Sequence, residues 1–360
     1  MKIMNVVESF GGGVYSFLVD VCNRLSENNE VVLVYSKREQ TPMNFKKDFD
    51  SRIKLIYLDM CRGFNITKNL KSLSVLKYII KNEKPDIVHL HSSKAGFIGR
   101  MACRQIGFDM KNVIYNPHGF SFLQKNENKV KRYIYYILEL YASKMGGSIV
   151  GCSKGEAIEA EKISRRVYNI NNGINTKKID EIIFKLRDKC DLKEITIGTV
   201  GRISFQKNPK MFNEIAKMFP KIKFIWIGDG ELRKELTSSN ISVTGWRKRE
   251  EVISLINILD IYIMTSLWEG LPIALLEAMY LKKTCIVSNV VGNRDVIING
   301  KSGYIVDSKD EYVDCIKNIL QNPKDMRTMA DCACREVINK YNLLKMTDEY
   351  LGLYKNISFR

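Results

Sequence analysis

At 360 residues the chain exceeds what one compact core usually holds, so two domains are expected. Its 45% hydrophobic and 27% charged residues suit a folded globular protein, and 7 prolines with 23 glycines exclude collagenous and low-complexity classes. A formal charge of +17 points to anionic partners, and no charge-free apolar run is long enough to span a bilayer.

In chain order, KIMNVVE, EVVLVYS, RIKLIYL, DIVHLHS, NVIYNP and SIVGC read as short strands. Helical stretches at 14–28, 68–82, 95–107 and 129–144 separate them. Near Asn172-Gly173-Ile174-Asn175 the pattern pauses, and a polar segment runs to about Lys193. A second series follows: ITIGTVGR, IKFIWIGDG, NISVTGW, DIYIMTS, KTCIVSN and SGYIV, then helices at 325–340 and 343–354 with no strand after them. Strands alternating with helices imply parallel sheets covered on both faces. The fold class expected is α/β, with two doubly wound domains and a cleft between them. Their limits are placed at 1–176 and 177–340, with a C-terminal helix in 341–360 packing back toward the N-terminal domain. The N-terminus has no signal-peptide pattern, so a cytoplasmic location is expected.

Nine scattered cysteines are an odd number in a long chain and read as reduced thiols. His89 and His91 alternate on a strand, but no carboxylate or cysteine nearby completes a metal site, and no metal is expected. Residues 1–176 hold 27 Lys/Arg against 16 Asp/Glu, and residues 177–360 hold 30 against 24, so the basic excess lies mainly in the first half. Without zinc-finger spacing, an RNP-like motif or an arginine-rich tail, nucleic acid is not an expected partner.

Ligands of doubly wound sheets sit beyond the carboxyl ends of the strands. Gly11-Gly12-Gly13 follows the first strand and leaves backbone amides open to a phosphate or a sugar, though it is not the G-x-G-x-x-G fingerprint of dinucleotide enzymes. In the second half, Arg202 offers a planar fork and Lys207 a point charge, a pair suited to a diphosphate. The sharpest signal is Glu269-Gly270-Leu271-Pro272-Ile273 followed by Glu277. With Pro272 in the first turn of a helix, eight helical steps would bring Glu269 and Glu277 within about a quarter turn, and the amides of Gly270 and Leu271 would add donors.

Together the glycine loop, His118-Gly119, Cys152-Ser153, Asn172-Gly173-Ile174, Arg202 with Lys207, and two glutamates with seven residues between them resemble glycosyltransferase family 4, of the GT-B fold. That resemblance implies a retaining, metal-independent glycosyltransferase with a nucleotide-sugar donor, UDP-linked, and no separate cofactor. It implies that Arg202 and Lys207 hold the donor diphosphate and stabilise the leaving charge. Glu277 would bond the ribose hydroxyls, Glu269 with the Gly270, Leu271, Pro272 and Ile273 backbone would grip the sugar, and His118 would contact the sugar. Gly12 and Gly13 would approach phosphates or acceptor. Catalytic roles thus fall to Glu269, His118, Arg202 and Lys207. Asn175, where the family often has aspartate, and Gly292-Asn293-Arg294-Asp295, in place of a glycine-rich turn bearing glutamate, depart from the pattern.

The segments His89–Arg100 and Asn116–Phe122 are similar to those of family members that build bacterial capsule, O-antigen or lipid-linked oligosaccharides. This implies a polyprenyl-diphosphate-linked acceptor and an enzyme peripherally associated with the inner face of the cytoplasmic membrane. Physically, Lys125–Leu138 joins basic residues to an aromatic and aliphatic helix, which suits an anionic membrane surface unless Tyr133–Leu138 pack into the core. The runner-up within the same fold is a UDP-N-acetylglucosamine 2-epimerase-like enzyme, which needs no acceptor.

Overall fold

The computed structural model describes residues 1–61, 65–185 and 194–358, and it divides into two compact units. The first comprises Met1–Asn172 and Leu343–Arg360, the second Gly173–Asn342.

In the first unit the elements are β1 (Lys2–Phe10), α1 (Gly12–Leu25), β2 (Glu30–Lys37), β3 (Lys54–Tyr57), α2 (Ile66–Glu83), β4 (Ile87–His91) and α3 (Ser93–Gln105), then β5 (Val113–Asn116), α4 (Lys129–Lys144), β6 (Ser148–Gly151), α5 (Lys154–Glu161) and β7 (Val167–Asn169). Its seven strands are parallel, in the order β3-β2-β1-β4-β5-β6-β7. The second unit has α6 (Thr176–Phe184), β8 (Thr196–Val200), α7 (Pro209–Lys217), β9 (Lys223–Ile227), β10 (Ile241–Val243), α8 (Arg249–Asn257) and β11 (Ile261–Met264). It continues with α9 (Ile273–Tyr280), β12 (Thr284–Ser288), α10 (Asn293–Val296), β13 (Tyr304–Val306), α11 (Lys309–Gln321) and α12 (Pro323–Lys340). Its parallel sheet runs β10-β9-β8-β11-β12-β13. Both sheets therefore reverse direction beside their first strand, between β1 and β4 and between β8 and β11. Those two places are where doubly wound sheets bind ligands.

The central strands are buried on both faces, as in β4 (IVHLH) and β11 (IYIM), which is why they read as unbroken apolar runs. The final helix, α13 (Leu343–Ser358), belongs to the first unit, where Leu343, Met346, Tyr350 and Leu353 join the core of Val7, Phe10, Phe17 and Leu18. The second unit is closed at its ends by the Ile174 amide, which donates to the Tyr341 carbonyl at 2.9 Å.

Two expectations are corrected. The pause after Asn175 contains α6, whose apolar residues Ile179 and Ile182 are buried and whose N-terminus is capped by the Asn175 side chain. The rest of that polar segment, 186–193, and the chain end at 359–360 lie outside the described residues. The helix expected to have Glu269 at its mouth and Pro272 in its first turn starts only at Ile273, with Pro272 extended at its N-cap.

Candidate active site

At the strand ends of the first unit, α1 begins at Gly12 without a side-chain cap. Gly12 has φ +53°, and a Cβ built on Gly12 or Gly13 would meet nothing within 4 Å, so the loop borders open space. Across the switch point, α3 starts at Ser93, and the Lys94 ammonium is turned to the Cys61 carbonyl rather than outward.

His118 lies in the loop after β5, in a left-handed conformation (φ +53°) that side chains rarely adopt. Its ring is 3.0 Å from His91 Nδ1, and His91 Nε2 is 3.0 Å from Asn5 Oδ1. Because the Asn5 oxygen only accepts, His91 donates from Nε2 and His118 donates from Nε2 to His91 Nδ1. A second chain runs beside it. His89 Nε2 donates to Asn116 Oδ1 at 2.6 Å, Tyr354 OH donates to His89 Nδ1 at 2.7 Å, and Asn116 Nδ2 donates to Tyr350 OH at 2.8 Å. Burial pushes His89 down to about 4, and His91 and His118 are lowered too by burial and by neighbouring imidazoles. All three rings are thus neutral near pH 7 and act through hydrogen bonds. Glu156, buried at the start of α5, ties the adjacent loops together: its oxygens accept from the Gly119 amide and, at 2.8 Å, from the Cys152 amide.

The strand ends of the second unit are held by charge. Lys207 Nζ donates to Glu269 Oε1 at 2.6 Å, in a pair whose side chains are 18% and 8% exposed. Gln206 Nε2 donates to the Trp268 carbonyl at 2.9 Å, and Thr265 Oγ1 to the Lys207 carbonyl at 2.7 Å, so the loops after β8 and β11 form one body. Arg202 Nε donates to Glu231 Oε2 at 2.9 Å in a more exposed pair. Backbone meets backbone here. A Cβ on Gly228 would lie 2.2 Å from the Gly201 oxygen, and one on Gly292 would lie 2.1 Å from the Gly270 oxygen, so the Gly270–Ile273 segment is pressed against the start of α10. There Asp295 accepts from the Gly292 amide at 3.2 Å, which makes it a helix cap.

The two glutamates are held apart by different partners. Glu269 sits in the loop with Lys207, while Glu277, fully buried on α9, pairs with Arg249 at the start of α8. The two acids are therefore not eight helical steps apart on one helix, although both lie on the α9 side of the same switch point. Five residues were missed by sequence reasoning: Arg249, Glu156, Asn5, Tyr350 and Tyr354. Only Glu156 left a signal, as the third residue after Ser153 in a capping pattern.

The family described as Glycosyltransferase Family 4 matches residues 11–178, and the one described as Glycosyl transferases group 1 matches residues 181–335. An Escherichia coli protein named UDP-Gal:alpha-D-GlcNAc-diphosphoundecaprenol alpha-1,3-galactosyltransferase is 32% identical over 330 residues, covering 82% of this chain and 81% of its own. The chain belongs to glycosyltransferase family 4. A Campylobacter jejuni relative, named as an alpha-1,4-N-acetyl-D-galactosaminyltransferase of a trisaccharide linked through diphosphate to undecaprenol, is 24% identical and covers 99% of both chains. Among solved structures, sucrose-phosphate synthase from Thermosynechococcus elongatus superimposes with a TM-score of 0.85 at 15% identity, covering 99% of each chain. Anabaena HepE in complex with UDP and glucose superimposes at 0.80 and 16% identity, covering 98% of each chain. These neighbours share the GT-B fold of two Rossmann-like domains, and the chain is a glycosyltransferase.

Proposed function

We propose that this glycosyltransferase moves a hexose or N-acetylhexosamine, such as galactose, from a UDP-sugar to a polyprenyl-diphosphate-linked glycan in bacterial surface polysaccharide synthesis. The observation that carries the reading is the Lys207–Glu269 pair beside Arg202 at the β8/β11 switch point. Arg202 and Lys207 hold the donor diphosphate, and Glu277 accepts from the ribose hydroxyls. Glu269, with the backbone of Gly270, Leu271, Pro272 and Ile273, grips the sugar. Gly12 and Gly13 leave room for phosphate or acceptor, and His118, neutral, offers a hydrogen bond to the sugar. As the bond from the anomeric carbon to the diphosphate oxygen breaks, the two cations take up the developing charge. The leaving phosphate accepts the acceptor hydroxyl proton on the same face, so configuration is retained. This route uses no resident metal and no other cofactor.

The names of the relatives from E. coli and C. jejuni support the lipid-linked acceptor, and HepE's UDP supports the donor. Those relatives are named transferases, which does not favour the epimerase-like alternative. The acceptor also calls for a membrane face. On α4, Val130, Tyr133, Ile134, Ile137 and Tyr141 form an exposed row, with Tyr133 65% accessible, and Lys129, Lys131 and Arg132 flank its start. Such a row suits the headgroup level of an anionic bilayer, so we place the enzyme peripherally at the inner face of the cytoplasmic membrane. Among the described residues no helix is long and apolar enough to cross one.

The test is a panel of UDP-, GDP- and ADP-sugars with a lipid-linked acceptor, read by product mass and anomeric configuration. An α-linked product from a UDP-sugar is expected. Donor consumption without acceptor would favour the epimerase instead. Transfer is expected to persist in excess EDTA, and activity that vanishes there and returns with manganese would contradict the charge assignment.

A further inference from the structure

At the other end of the first unit's sheet, a shallow, open surface cavity of about 270 Å³ lies where α4 ends and β6 and β7 begin. It is lined by Ser143, Lys144, Gly147, Ser164, Arg165 and Arg166, and no acidic side chain lines it. Three exposed basic residues thus border one depression, and none of Lys144, Arg165 and Arg166 takes part in an ion pair found among the described residues. The fold brings them together for a reason. Gly146 and Gly147 both have positive φ (+111° and +88°), and a Cβ on Gly147 would press to 3.0 Å on the Val113 carbonyl, so the chain turns sharply between α4 and β6. Ser143 Oγ donates to the Ile163 carbonyl, which fastens the end of α4 to the loop before β7. Ser164 Oγ accepts from the Arg166 amide at 3.2 Å, leaving its own proton to donate.

We propose that this cavity binds a phosphate-bearing anion, the headgroup phosphate of an anionic phospholipid. Guanidinium forks, an ammonium and the Ser164 hydroxyl, with no competing carboxylate, match an oxyanion of that class. The lipid source follows from continuity: the exposed row of α4 ends at Tyr141, and Lys144, the last residue of that helix, lines the cavity. A helix lying in the headgroup region through that row carries the cavity to phosphate depth. The inference rests on the membrane face proposed for α4. By strand direction it is distinct from the His118 loop, which follows the opposite, carboxyl end of β5.

The experiment measures binding of the full chain to phosphatidylglycerol-containing and to neutral phosphatidylcholine vesicles, and to inorganic phosphate. Lys144→Gln/Arg165→Gln/Arg166→Gln is expected to weaken binding to anionic vesicles by about tenfold or more. It should leave neutral-vesicle binding, UDP affinity and the melting temperature unchanged. Arg165→Lys/Arg166→Lys, which keeps the charge, is expected to retain most of the binding. Loss of inorganic-phosphate binding with unchanged vesicle binding would overturn the lipid source and assign the cavity to a soluble phosphate. Wild-type affinity of the triple variant for both would overturn the site. A Lys129→Glu/Lys131→Glu/Arg132→Glu variant tests the α4 face separately. If it binds anionic vesicles like wild type, the membrane reading itself fails; if it alone loses binding, only the cavity proposal fails.

Discussion

The first unit holds its candidate residues by neutral hydrogen bonds: Asn5 to His91 to His118, and Tyr354 to His89 to Asn116 to Tyr350. The second unit, wound in the same strand order, holds its own by ion pairs, Lys207 with Glu269 and Arg249 with Glu277. All three histidines belong to the first unit and all three tryptophans to the second. One topology thus carries two kinds of site. A neutral network fixes the orientation of its rings, and in His118, whose Nε2 donates to His91, the remaining Nδ1 is an acceptor suited to a hydroxyl. A charged one already contains the cations that the proposed donor diphosphate would draw on, with Lys207 exchanging its carboxylate partner for phosphate. Steric economy at glycine serves the charged site, since Gly228 and Gly292 let its loops meet backbone to backbone.

The largest test of this contrast is Lys207→Ala. It removes a donor aimed at developing charge and leaves Glu269 buried without its ammonium, and kcat/KM should fall by about 10³-fold. Asn5→Ala, which only loosens the neutral chain, should cost about tenfold. UDP release measured on both variants checks the ranking, and equal losses would erase the distinction between the units.

A second effect separates the units by pH. The imidazole of His89 titrates near its ordinary value of 6.5 when unfolded and near 4 when folded, so its contribution is complete above the unfolded value and is lost as pH falls toward 4. At pH 5 the loss is about 2 kcal/mol. Amide exchange across β4 and β5 should therefore quicken, after correction for intrinsic rates, between pH 7 and 5. The tryptophan-monitored unfolding of the second unit should move little. His89→Gln should flatten the pH dependence of the first unit, and an unchanged slope would show that burial of this ring is not its source.

The smallest effect concerns Arg249. Replacing it with Gln removes the Arg249 cation from the buried Glu277 carboxyl, which favours its protonated form. UDP affinity, measured between pH 8 and 6, should then fall more on acidification than it does in wild type. Adding Glu277→Gln should abolish the slope. Titration calorimetry across that range decides whether Arg249 acts through Glu277 or merely braces α8.

Much of the architecture was legible because parallel strands buried on both faces write continuous apolar runs, as in Ile87–His91 and Ile261–Met264. The missed strand β7 is a three-residue edge whose Tyr168 and Asn169 are exposed, so it carries no such run. The missed α6 has only a narrow apolar side, formed by Ile179 and Ile182 in a lysine-rich stretch. For α4 the pattern announced an amphipathic helix but not which face meets the sheet. Ala142 and Glu139 turn inward, Glu139 accepting from Tyr115 OH at 2.8 Å, and this leaves Tyr133 and Ile137 outside. At the site, residue types and order pointed to Lys207, Glu269 and Glu277, but their pairing could not be read. Arg249 precedes Glu277 by 28 positions with no motif between them, and only the packing of α8 against α9 joins the two.

In the proposed function the charged strand ends of the second unit bind a UDP-sugar in two separable parts, ribose by Glu277 and sugar by Glu269. Calorimetry of UDP binding to Glu277→Ala and Glu269→Ala, with turnover measured alongside, tests it most directly. The account predicts that Glu277→Ala loses UDP affinity, while Glu269→Ala binds UDP nearly as wild type does and turns over about 10²–10³-fold more slowly. Equal losses of UDP affinity in the two variants, or none in Glu277→Ala, would contradict it.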